Sequence, residues 1–108
     1  VVAYREEHYV QNLMDRIGEV CKRRNWKKDW SSGGCYIHLE VSEFIESLRG
    51  KGDSPPVKEA ADVLVTLFAV LKNYNIGAKD LLNALEEIVE GIETDKIGTT
   101  APKEPVAV

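Results

Sequence analysis

Apolar residues recur along this chain at intervals of three and four, a rhythm that predicts helices. Between Tyr4 and Arg24, the positions Tyr9, Val10, Leu13, Ile17, Val20 and Cys21 fall on one face. Between Tyr36 and Arg49, Ile37, Val41, Phe44, Ile45 and Leu48 do the same. The stretch from Asn25 to Gly34 holds Trp26, Trp30, two serines and two glycines, and reads as a loop. Gly50, Gly52, Asp53, Ser54, Pro55 and Pro56 stop the second helix and start the third, with Ser54 the expected N-cap. The third helix, Pro56 to Tyr74, is apolar on nearly every side and is expected to be central and most buried. Gly77 marks a break. The fourth helix, Lys79 to Glu93, is expected to turn Leu81, Leu82, Leu85, Ile88, Val89 and Ile92 inward.

No segment alternates with a period of two, so the expected fold is all-α: four main helices in an antiparallel bundle. The third helix offers more apolar surface than one small bundle covers, and completion by oligomerisation is expected. Residues 1–98 form one domain in this reading, and residues 99–108 a mobile tail with two prolines and no period.

Composition narrows the class. At 108 residues and 44% hydrophobic, the chain suits one soluble globular domain. No apolar run is long and charge-free enough to span a membrane. The closest, Ala60 to Leu71, is short and contains Asp62. Glu6 and Glu7 at the start argue against a signal peptide. Cys21 and Cys35 form neither a CxxC pair nor a zinc array, and a cytoplasmic, reducing setting is expected. A net charge of -4 argues against a nucleic-acid polymer as partner. Yet Lys22, Arg23, Arg24, Lys27 and Lys28 cluster at the end of the first helix. They suit either a solvated helix C-terminus or a contact for a small polyanion.

The candidate chemistry is carboxylate chemistry. Glu40 and Glu43 stand three apart in the second helix, and Glu59 and Asp62 three apart in the third. Residues so spaced are surface neighbours on a helix. Antiparallel packing across the short connecting turn brings the two pairs together. Two unit charges about 5 Å apart repel by roughly 3 kcal/mol at an effective dielectric of 20, so such a cluster calls for a cation. An all-oxygen donor set favours magnesium or manganese over zinc or copper. Glu40 and Glu43 alone also suit a solvated face, and Glu59 also suits the positive end of its helix. Asp62, inside the most apolar helix, fits neither. Neither His8 nor His38 lies three residues after a Glu, which sets aside a di-iron bundle. No Gly-rich phosphate loop is present.

The stretch from His38-Leu39-Glu40-Val41-Ser42-Glu43-Phe44 through Glu59-Ala60-Ala61-Asp62-Val63-Leu64 resembles the MazG-like, all-α nucleoside triphosphate pyrophosphohydrolases. That family carries an ExxE motif, a spacer and then ExxD; here fifteen residues separate Glu43 from Glu59. Arg24-Asn25-Trp26 is similar to the Arg-x-Trp that precedes the first motif in relatives acting on deoxycytidine triphosphate. The resemblance implies hydrolysis of a nucleoside triphosphate to monophosphate and pyrophosphate, a magnesium cofactor (manganese as a substitute), and a homodimer or homotetramer. It implies Glu40, Glu43, Glu59 and Asp62 as metal ligands, with Glu43 or Glu59 also accepting a proton. Trp26 becomes a candidate for stacking on the base, and Arg24, Lys27 and Lys28 candidates for phosphate contact. Many relatives carry a Lys and an Asn or Arg four apart in the last helix. Here that region reads Leu85 to Ile92 without a basic pair, and Lys96 lies too late to align. The alternative reading is a non-enzymatic helical module that binds a divalent metal or a nucleotide.

Overall fold

The computed structural model describes residues 4–94. Four helices make up the described chain: α1 (Tyr4–Arg23), α2 (Ser32–Leu48), α3 (Pro56–Asn73) and α4 (Ala78–Glu93). Among the described residues there are no strands, and no helix is long and apolar enough to cross a membrane. The tail expected from Thr99 onward and Lys96 lie outside the described residues. α2 and α3 form the most extensive pair, α1 lies against the α3 side of that pair, and α4 packs on α1.

Three of the helices end by the same device. Asn25, Gly50 and Asn75 adopt left-handed backbone conformations, with φ of 54°, 76° and 59°. The following N–H groups of Trp26, Lys51 and Ile76 then donate back to the carbonyls of Cys21, Glu46 and Leu71, at 2.8, 3.0 and 3.0 Å. This pairing satisfies carbonyls that the helix end leaves open, and glycine or asparagine suits it because each tolerates positive φ. It also fixes where the next side chain departs, and two of those side chains are Trp26 and Lys51.

Several sequence expectations need correction. α2 starts at Ser32, four residues before the expected Tyr36, so part of the presumed loop is helical. The Asp29 carboxylate accepts the N–H groups of Ser31 (3.1 Å) and Ser32 (2.8 Å), organising the entry to the helix. Hydrogen bonding from the Ser32 backbone holds the Asp29 carboxyl below its ordinary pKa. This helical position is a glycine for a steric reason: a methyl group at Gly33 would stand 2.5 Å from Val70 Cγ2 and 3.1 Å from the Lys28 backbone. Ser54 is not the cap of α3. Pro55 holds that position in extended conformation, and its carbonyl accepts the N–H groups of Lys58 and Glu59.

The burial pattern differs most. α3 is central, but it is not buried all round: Val57, Leu64 and Val65 are exposed, while Glu59 and Ala69 are its buried residues. On α4, Leu85, Ile88, Val89 and Ile92 are likewise exposed, and Leu81 and Leu82 are only half-buried. The largest fully buried side chain among the described residues is Met14 on α1, which the periodic stripe passes over. Ala78 is buried at the start of α4, where its N–H donates to Gln11 Oε1 at 2.7 Å. Gln11 in turn donates to Asp15 (2.8 Å), which also accepts from Lys72 of α3 (2.6 Å). This chain of polar contacts ties α4 to α1 and α1 to α3.

Candidate metal centre

The α2–α3 hairpin gathers the carboxylates. Glu40 and Glu43 project one turn apart from the middle of α2, and Glu59 projects from the first turn of α3. Oxygens of these three side chains all lie within 4.8 Å of one another. Glu59 is only 8% exposed, and its Oε2 is buried with no hydrogen-bond partner. The helix N-terminus offsets part of its charge. A buried carboxylate oxygen without a partner nonetheless carries a desolvation penalty that a cation relieves. Burial, and then the charges of Glu43, Asp62 and Glu59, push the Glu40 carboxyl above its ordinary pKa. The arrangement therefore stores repulsion, and its donors are all hard oxygens of the kind that hold magnesium or manganese.

Asp62 stands apart from the other three. It lies one turn beyond Glu59 and its charge is felt at Glu40, yet its carboxylate sits 3.9 Å from Lys58 Nζ and is not among the three converging groups. A polar pocket of about 350 Å³ opens beside the cluster, lined by Glu43 and Glu59 together with Ser42, Ser47, Lys51 and Ser54.

The aromatic and basic candidates assemble at the other end of the hairpin. Trp26 is 47% exposed. The Arg24 guanidinium lies 5.0 Å from its ring centre and Lys28 Nζ 5.4 Å. Lys28 Nζ also stands 3.7 Å over the ring of Tyr36. Such contacts are the attraction of a cation for a π face. Trp26, Lys28, Tyr36 and Thr66 line a cleft of about 280 Å³. Tyr36 precedes Glu40 by one helical turn, a rise of about 6 Å, so the cleft adjoins the carboxylates along α2. Lys27 takes a different course: its carbonyl accepts the Ser32 hydroxyl and its charge acts on Asp29. Trp30 is exposed, with its backbone N–H bonded to the Tyr74 hydroxyl, and lines neither the cleft nor the polar pocket.

Tyr36 and Lys51 were not singled out from the sequence. Tyr36 had a signal in the spacing, four residues before Glu40 on the same face, whereas Lys51 sits in a turn beyond the period of α2. What defines the molecule is thus an all-α fold bearing an acidic cluster suited to a metal ion, with an aromatic cleft one turn away. Compared with known proteins, the chain matches no family model, no curated protein and no solved structure.

Proposed function

We propose that this protein is a magnesium-dependent nucleoside triphosphate pyrophosphohydrolase. The observation that carries the reading is the convergence of Glu40, Glu43 and Glu59 around the buried, unpartnered Oε2 of Glu59. Those three carboxylates would hold the metal, with Asp62 as a fourth ligand once released from Lys58. Bound magnesium would supply counter-charge to the phosphates and acidity to water. Nucleotide is favoured as substrate because the cleft of Trp26 and Tyr36 offers π faces for a base one turn from the cluster, with Arg24 and Lys28 beside it.

In this mechanism the side chains position and exchange protons. Water attacks the α-phosphorus, the bond to the bridging oxygen breaks, and its electron pair leaves with pyrophosphate. The proton released by water passes to Glu43, which is exposed and hands it on to solvent, while burial keeps Glu59 as a ligand. The choice of the α-phosphorus rests on the resemblance of the two carboxylate motifs to MazG-like enzymes. The exposed aliphatic residues of α3 and α4 would be covered by a second copy, in a homodimer or homotetramer.

The test is hydrolysis of a panel of nucleoside triphosphates with magnesium in water enriched in heavy oxygen. The expected products are labelled nucleoside monophosphate and unlabelled pyrophosphate. Nucleoside diphosphate and free phosphate as first products would refute this reading. Nucleotide binding without turnover would move the protein to the non-enzymatic alternative.

A further inference from the structure

The polar pocket beside the carboxylates extends away from the aromatic cleft, toward the turn between α2 and α3. Along α2 the order is Tyr36, Glu40, Glu43 and Ser47, and Lys51 follows the end of the helix. From Tyr36 to Ser47 the helix rises about 16 Å, a length on the scale of an extended nucleoside triphosphate. Lys51 is the one basic residue lining the pocket. It has no ion pair among the described residues, whereas Arg49 nearby is paired with Glu46 at 2.9 Å. The Lys51 backbone is tied to the end of α2. Its N–H bonds to the Glu46 carbonyl, and the glycines before and after it both have positive φ, 76° and 87°. Glu59, with its buried and unpartnered Oε2, lines the same pocket.

From this layout we infer that the pocket is the subsite for the two terminal phosphates, the future pyrophosphate, and that Lys51 is its binding residue. The inference rests on the pyrophosphohydrolase reading and adds the substrate's direction: base toward Trp26 and Tyr36, terminal phosphates toward Lys51. The sign of the pocket limits the ligand further. Glu43, Glu46, Asp53 and Glu59 all line it against one lysine. Free pyrophosphate is repelled there, so the species accepted is the magnesium complex. As the bridging bond breaks, charge builds on the leaving pyrophosphate, and the Lys51 ammonium would offset that charge.

Calorimetric titration with inorganic pyrophosphate, with and without magnesium, tests this on the full chain, its Lys51→Ala variant and its Lys51→Arg variant. The parent is expected to bind pyrophosphate only when magnesium is present. Lys51→Ala should weaken that binding about tenfold or more, the loss typical of a charged hydrogen bond, and Lys51→Arg should recover most of it. Lys51→Ala should keep the parent's rise in melting temperature with magnesium alone, which reports that the carboxylates still assemble. Equal pyrophosphate affinity in parent and Lys51→Ala would overturn the role of Lys51 and leave the metal centre standing. Tight binding by the parent without magnesium would overturn the charge argument. A parent that responds to magnesium but binds no pyrophosphate would overturn the pyrophosphohydrolase reading, and the subsite with it.

Discussion

The α2–α3 hairpin and the α1–α4 side of the molecule are held together by different physics. On the α1–α4 side the enclosed side chains are apolar: Met14 of α1 and Ala78 of α4 are both 0% exposed. The polar chain from Lys72 through Asp15 and Gln11 to Ala78 sets the register, with every link between 2.6 and 2.8 Å. The hairpin instead buries polar groups. Ser47 is enclosed and donates to the Phe44 carbonyl at 2.6 Å, and Glu59 is enclosed with an oxygen that finds no partner. One side follows the ordinary economy of packing. The other departs from it where three carboxylates meet, which makes that cluster the candidate functional site.

This contrast predicts opposite responses to substitution. The largest effect is expected on the packed side. Met14→Ala should cost about 2–5 kcal/mol of unfolding free energy, as deletion of a fully enclosed side chain does. Urea denaturation measures it, and a cost below about 1 kcal/mol would remove Met14 from the centre of the core.

On the hairpin side, removing a charge should stabilise the metal-free protein. The Glu40 carboxyl has a pKa raised above its ordinary 4.5, so the folded state holds its proton more firmly than the unfolded chain. The stability linked to that proton is fully present below the ordinary value. It is lost as pH rises from there through the folded value. Glu40→Gln should therefore melt above the parent at neutral pH in the presence of a chelator, with the gap closing below about pH 4.5. A variant that melts lower at neutral pH would mean that the carboxylates do not repel one another.

The smallest effect belongs to the exposed link between α1 and α3. Lys72→Met should cost about 0.2–1 kcal/mol, the range of a surface ion pair. Asp15 is held below its ordinary pKa chiefly by its hydrogen bond from Lys72. Its contribution is present above the ordinary value and fades as pH falls through the lowered one. The parent and Lys72→Met should thus converge in strong acid. A difference that persists there would assign the effect to the Lys72 methylenes, which lie against Gly18.

The helices themselves were legible in the periodicity, because three-and-four spacing of apolar residues survives any packing arrangement. Their burial was not. The stripe on α4 predicts an inward face, yet Leu85, Ile88, Val89 and Ile92 are exposed in the single chain. A stripe records that a face needs covering and does not say which chain covers it. The start of α2 is hidden in the sequence because Gly33 looks like a breaker, whereas close approach to Val70 makes glycine the residue that fits. Of the four carboxylates expected to cluster, the spacing correctly brought three together. It could not show that Lys58, one turn before Asp62, competes for that carboxylate. Lys51 escaped notice because a lysine in a turn has no period to betray it.

The central claim is that Glu40, Glu43 and Glu59 hold a divalent cation, and direct metal binding tests it with the least inference. Manganese, used as a paramagnetic stand-in for magnesium, can be titrated into the parent and into Glu59→Gln while spin resonance counts the free ion. The parent is expected to take up manganese. Glu59→Gln, which keeps the shape of the buried side chain and removes its charge, should bind it at least about tenfold more weakly while remaining folded. Equal manganese affinity in the two proteins would contradict the account.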